Sequence, residues 1–161
     1  MKILKIIGKA PINIKLLLIG KISLVSCWLF FIVKLFLKDV VLYDSIINQT
    51  IAFIILIIGI TFVVLSVLVL KEKTRIGLYD DNERVELKKN GIYKISRNPM
   101  YIGFDLLCIA SVVYSINIIN LMLCLIAMII HHKIILAEEK YLKNILKKEW
   151  DIYCNQTRRY I

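Results

Sequence analysis

Gly91-Ile92-Tyr93-Lys94-Ile95-Ser96-Arg97-Asn98-Pro99-Met100-Tyr101-Ile102-Gly103 is the stretch on which the fold turns, because a strongly basic segment there runs straight into an apolar stretch of membrane length. Eight Lys or Arg residues lie between Lys71 and Arg97, whereas from Asn98 to Ile130 the only formal charge is Asp105. An aqueous cofactor and a lipid-dissolved substrate can meet at such a boundary, so chemistry is expected there, at the membrane surface.

Working outward, 59% hydrophobic residues and a mean hydropathy of +0.74 exceed what a soluble domain of 161 residues needs. Ser45 to Leu70 contains no charged residue, and at about 1.5 Å per residue it is long enough for a hydrocarbon core of roughly 30 Å. The chain reads as an all-α, multi-pass integral membrane protein. Its net charge of +10 does not indicate a nucleic-acid partner, because the basic residues fall in blocks between apolar segments, as the positive-inside rule predicts for cytoplasmic loops beside anionic lipid. Cys27, Cys108, Cys124 and Cys154 show no metal-ligand spacing and read as free thiols, the first three within apolar segments.

Four spans are expected. The first, Ile14 to Leu37, is bounded by Lys21 and Lys34, expected to snorkel to the headgroups. It reads as a retained span or a surface helix rather than a cleaved leader, since Lys15 and Lys21 interrupt it and no small-residue cleavage pattern follows. The second is Ile46 to Leu70, followed by a polar stretch to Asn90 that reads as a solvated loop with a short helix. Pro99 to Ile130 would be about 48 Å long as one helix, too long for one crossing. Asn117 and Asn120 therefore suggest a hairpin with arms Tyr101 to Tyr114 and Ile118 to about Leu136, its turn near the far headgroups or within the bilayer. Basic residues number five before Ser23, eight from Lys71 to Arg97 and seven from Lys133 onward. That distribution places both termini and the large loop in the cytoplasm. The last helix is expected to continue out of the membrane, with Trp150 and Tyr153 as interface anchors. Residues 1–70 read as a membrane region and 71–161 as a catalytic one.

Taken alone, Arg97-Asn98-Pro99 is a helix start, since proline is favoured in the first helical turn. His131 shares a helical face with Glu138, and His132 with Glu139, seven residues being almost two turns. A solvated helix end accounts for the glutamates as well as a carboxylate aimed into a polar pocket does. Zinc is not expected, since these pairs are too far apart for one ion and lack a third ligand. Asp105, the only acidic residue in an apolar segment, calls for a partner: Arg97, Lys94 or a polar group on a neighbouring helix.

Leu87-x-x-x-Gly91-x-Tyr93-x-x-x-Arg97-Asn98-Pro99-Met100-Tyr101-x-Gly103, an apolar hairpin, then His131 with Glu138-Glu139-x-x-Leu142 and Trp150-x-x-Tyr153 resemble the isoprenylcysteine carboxyl methyltransferase and phospholipid methyltransferase superfamily. The resemblance spans about Leu87 to Arg159; the two N-terminal spans match only in being apolar. It implies an integral membrane enzyme using S-adenosylmethionine, its cofactor pocket at the cytoplasmic face lined by Leu87, Lys88, Tyr93, Asn98, Pro99, Met100, Tyr101 and Glu139. Arg97 and Glu138 would act on the ligands. The implied acceptor is amphipathic, lipid-like or prenylated, and reached laterally from the bilayer.

Two departures stand out. The family's usual histidine after the arginine is Asn98 here, which hydrogen-bonds but cannot titrate. The arginine that precedes the glutamates in the prenylcysteine enzymes is replaced by the apolar neighbourhood Ile134, Ile135 and Leu136, which argues against a prenylcysteine carboxylate as substrate. Membrane sterol reductases, which bind a nicotinamide dinucleotide, resemble the same C-terminal architecture but are usually longer. A non-catalytic membrane scaffold is the third reading.

Overall fold

The computed structural model describes residues 14–36, 45–70 and 87–161. Lys2, Lys5 and Lys9, the connection 37–44 and the loop over residues 71–86, for which a short helix was expected, lie outside them. Five helices occupy the described residues: α1 Ile14–Phe36, α2 Ile46–Leu70, α3 Pro99–Ser115, α4 Ile118–Leu146 and α5 Lys148–Gln156, with a 3₁₀ turn at Gly91–Lys94 leading into α3. The protein is all-helical, and among the described residues the one β-type contact is an isolated parallel bridge between Ser96 and Arg158.

Helices α1, α2 and α4 are long and apolar enough to cross a membrane. Large aliphatic side chains such as Ile54, Ile57 and Leu65 of α2 point outward. In water that exposure would be costly, but lipid tails are as apolar as these side chains. The chain is an integral membrane protein. Helix α3 has 17 residues, about 25 Å, and falls short of a hydrocarbon core on its own.

The hairpin forms where the asparagines predicted it. Pro99 opens α3 in the first turn, where its missing N–H costs nothing. Asn117 caps α4 by accepting the Ile119 N–H at 2.8 Å. Asn120 lies not in the connection but within the first turn of α4. Fully buried, it donates through Nδ2 to Ser111 Oγ at 2.9 Å and Ser115 Oγ at 2.7 Å. Helix α4 is about 43 Å long, so its last ten residues extend past what a bilayer core needs. The continuous exit helix that the sequence suggests is broken at Lys147 (φ 46°), and α5 turns back from there.

Helix α2 packs chiefly on α3, and α1 on α4 and α3. The buried residues of α2 are Ala52, Gly59 and Ser66, seven apart, hence one stripe along one face. The closest approach is at Gly59 and Gly103. A Cβ on Gly103 would stand 2.6 Å from Val63 Cγ2 and 2.9 Å from the Gly59 carbonyl oxygen, so two backbones touch where lipid supplies no hydrophobic drive. Between α1, α3 and α4 the free thiols Cys27, Cys108 and Cys124 form a small core with Ala127.

Lys34 corrects one expectation. Lys21 is exposed as a snorkelling lysine should be, but Lys34 is buried, donates to the Tyr114 carbonyl, and lies 4.8 Å from the Tyr114 ring centroid. The last carbonyls of α3 lack intrahelical donors and carry the negative end of the helix dipole, so they hold the ammonium inside the bundle.

Candidate active site

Three segments meet at the end of the bundle where α3 begins: residues 96–99, the last turns of α4, and the tail after α5. The tail lies alongside the helix start. Arg97 N–H donates to the Arg158 carbonyl at 3.0 Å, and Ser96 Oγ donates to the Arg159 carbonyl at 3.1 Å while accepting the Asn98 N–H at 3.0 Å.

Glu139 is the hub. Its Oε1 accepts from Asn98 Nδ2 at 3.0 Å and lies 3.3 Å from Arg97 Nε; its Oε2 accepts from Arg159 Nε at 2.9 Å and pairs with Arg159 Nη2 at 2.8 Å. Glu139 and Arg97 are both close to nine-tenths buried at the side chain, so this is an ion pair in low dielectric, stabilised by the hydrogen bonds around it. The fork from Glu139 holds Arg159 all the more firmly in its charged form. One carboxylate between two guanidiniums leaves the cluster net positive. Among the described residues Arg97 Nε finds no hydrogen-bond partner despite burial.

Trp150 and Tyr153 turn inward rather than anchoring at the interface. Trp150 lies under the Arg97 guanidinium, 5.8 Å from it, and the Tyr153 hydroxyl donates to the Tyr93 carbonyl at 2.7 Å. The break at Lys147 makes this possible by folding α5 back under the 3₁₀ turn. Tyr93 is half-buried, and its hydroxyl reaches Ser66 of α2. Burial pushes the Tyr93 hydroxyl well above the usual phenol range and Tyr153 up to about 12, the nearby Arg97 charge only partly offsetting the latter. Both therefore stay neutral hydrogen-bonding groups.

Two further pairs run down the α3–α4 interface from this hub. Tyr101 donates its hydroxyl to Glu138 Oε1 at 2.8 Å, and one turn deeper Asp105 Oδ1 lies 2.6 Å from His131 Nδ1. Asp105 thus takes the third of its three expected partners, a polar group on the neighbouring helix. His131 and Glu138 share the face that looks at α3, as their spacing requires. The Tyr101 and Phe104 rings flank the imidazole, with centroids 5.6 and 6.0 Å away.

The remaining residues of interest fall close by. Leu87 and Lys88 are half-buried in the irregular segment before the 3₁₀ turn. Pro99 is fully buried and Met100 nearly so, which makes them wall material beneath the surface. Ser96, Arg159 and Tyr160 were missed by sequence reasoning. Tyr160 stacks beside His132, its hydroxyl 2.5 Å from Nδ1, and thereby covers the face that His132 shares with Glu139. The only signal was the Arg158-Arg159 pair, which the positive-inside count absorbs. At the opposite end of the hairpin an open groove of about 430 Å³, between the start of α2 and the turn, is lined among the described residues by apolar side chains with Asn48 and Asn117.

The profile of the family described as Phospholipid methyltransferase matches residues 47–149, well over half of the chain. The chain belongs to the phospholipid methyltransferase family. The match begins at the start of α2 and ends in α5, which extends the likeness back from Leu87 through a whole apolar span. As a member of this methyltransferase family, the protein combines the membrane-spanning helices expected of it with the polar cluster at one end of the bundle. Helix α1 and the tail carrying Arg159 and Tyr160 lie outside the matched residues. Neither the curated proteins nor the solved structures give a significant match.

Proposed function

We propose that the protein transfers a methyl group from S-adenosylmethionine to an amphipathic, lipid-like or prenylated acceptor that reaches the site laterally from the bilayer. The observation that carries this reading is the cluster of two carboxylates and two guanidiniums at the mouth of an apolar bundle in a phospholipid methyltransferase family member. The cofactor presents a carboxylate, an ammonium and a sulfonium, and the cluster offers a counterpart to each sign. Arg97, whose Nε lies 3.3 Å from Glu139 and makes no hydrogen bond among the described residues, carries a positive charge suited to an anion. Glu138 makes its hydrogen bond to a neutral hydroxyl, and burial pushes its carboxyl up to about 7, so a cation placed beside it would favour the charged form.

Leu87, Lys88, Tyr93, Asn98, Pro99, Met100, Tyr101 and Glu139 form the proposed pocket, with Arg97 and Glu138 acting on the ligands. Glu139 acts through others: it fixes Asn98 and both guanidiniums. When bound, S-adenosylmethionine supplies a methyl group already activated by its sulfonium, so the protein's share is alignment, desolvation and electrostatics. Asn98 holds Glu139 and takes no part in proton transfer. The pocket and both termini face the cytoplasm in this reading, as the block of basic residues around the site favours. Residues 71–161 carry the chemistry and 1–70 the membrane frame.

Calorimetric titration of the detergent-purified protein with S-adenosylhomocysteine, with NADPH in parallel, tests this. Saturable binding of the first alone is expected. Binding of NADPH alone would replace the proposal with a reductase, and binding of neither to folded protein with a non-catalytic scaffold.

A further inference from the structure

The Asp105–His131 pair has no task in the cofactor pocket, yet it is an expensive thing to place in a membrane bundle. The side chains are 19% and 5% exposed and meet at 2.6 Å. A carboxylate at Nδ1 fixes the imidazole's orientation and favours the neutral tautomer with its proton on Nδ1. The lone pair is then on Nε2. Among the described residues no hydrogen-bond partner meets Nε2, and the residue as a whole is buried. His131 lies about 10 Å along α4 from Glu138, on the side towards the apolar middle of the bundle.

Resting on the methyltransferase reading, the geometry points to His131 as the proton acceptor for a lipid ammonium, with Asp105 as its positioning residue. Methyl transfer to a carboxylate needs no proton removed, whereas an ammonium has no lone pair until one leaves. The N–H bond breaks, its electron pair stays on nitrogen, and the proton bonds to Nε2. Asp105 balances the imidazolium so formed. The amine's lone pair then forms the N–C bond to the transferred methyl while the carbon–sulfur pair stays on sulfur, and His131 returns its proton to water as product leaves. Apolar ring faces of Tyr101 and Phe104 keep the imidazole otherwise dry. The titratable groups around the pair, among the described residues, are Tyr101 on α3, Cys124 and Glu138 on α4, and Tyr160 of the tail, the Asp105 charge reaching Cys124 and Tyr160. Helix α1 brings Gly20, not a charge, against Ile130, next to His131.

The test uses the purified full chain and vesicles of phosphatidylethanolamine diluted in phosphatidylcholine. Wild type is expected to methylate the ethanolamine lipid with a kcat that falls on acidification. His131→Gln is expected to keep S-adenosylhomocysteine affinity and KM within a few-fold, lose roughly 100-fold or more in kcat, and lose the acidic limb. Asp105→Asn is expected to lose roughly 10-fold in kcat with the limb retained. Nitrogen-15 histidine spectra of the wild type, which need no turnover, should show neutral His131 protonated at Nδ1 and a mixed tautomer in Asp105→Asn. A neutral wild-type His131 protonated at Nε2 overturns the proposal, as does an unchanged kcat and limb in His131→Gln. Wild type that binds S-adenosylhomocysteine but methylates only carboxylates also overturns it. Wild type that binds no S-adenosylhomocysteine overturns the methyltransferase reading itself.

Discussion

Towards α2, helix α3 is closed by backbone meeting backbone at Gly59 and Gly103; towards α4 it is held by side-chain pairs, Asn98–Glu139, Tyr101–Glu138, Asp105–His131 and Ser111–Asn120. Neither face relies on the hydrophobic effect, which lipid removes as a drive between helices. The first face is specified by volume and contains nothing reactive. The second is specified by chemistry, and the polar candidates of α3 and α4 for ligand or proton handling lie on it. One helix thus separates the fold's frame from its function.

The largest break in that comparison should come from the hub. Glu139→Ala leaves two guanidiniums facing each other in a mostly buried site and should cost about 3–5 kcal/mol, with loss of S-adenosylhomocysteine binding. Chemical unfolding in detergent alongside calorimetry measures both; intact stability with lost binding would instead put Glu139 on the ligand. On the volume face, Gly103→Ala places a methyl against Val63 and the Gly59 carbonyl and should cost about 1–3 kcal/mol by overpacking. The same substitution at Gly59, whose nearest contact would be 3.1 Å, should cost less. Equal thermal melts for the two glycine variants would mean that the close approach is not where α2 and α3 are set.

Smaller effects sharpen the polar side. Asn120→Ala removes two interhelical hydrogen bonds and should cost about 1–2 kcal/mol without touching cofactor affinity, since it lies at the far end of the hairpin from the hub. Smallest of all, Tyr153→Phe loses one hydrogen bond to the Tyr93 carbonyl, about 1 kcal/mol. A large drop in binding with that variant would show that the 3₁₀ turn, not the hub, sets the pocket.

The apolar frame was legible in the sequence. Ile46 to Leu70 emerges as α2 with the predicted bounds, Pro99 starts α3, and Asn117 caps α4, because charge-free length and local turn chemistry are short-range properties. What stayed hidden depends on partners distant in the chain. Lys34 looked like a headgroup lysine until α3's last carbonyls stood beside it. Trp150 and Tyr153 looked like interface anchors until the turn at Lys147 folded them under Arg97. Arg159 contributed only to a tally of basic residues, because nothing in its neighbours tells that it will fork onto a glutamate 20 residues earlier.

By itself, then, the sequence determined the solvent, the bounds of α2, the starts of α3 and α4, the hairpin and the family signature, since each is carried by hydropathy, helix-capping residues or a contiguous motif. Only the tertiary structure decided which charges pair: that Glu139 binds two arginines and an asparagine, that Glu138 answers to a tyrosine, and that Asp105 holds His131. A carboxylate in low dielectric takes whichever donor the packing brings within about 3 Å, and that distance is set by helix packing and a returning tail, not by spacing along the chain.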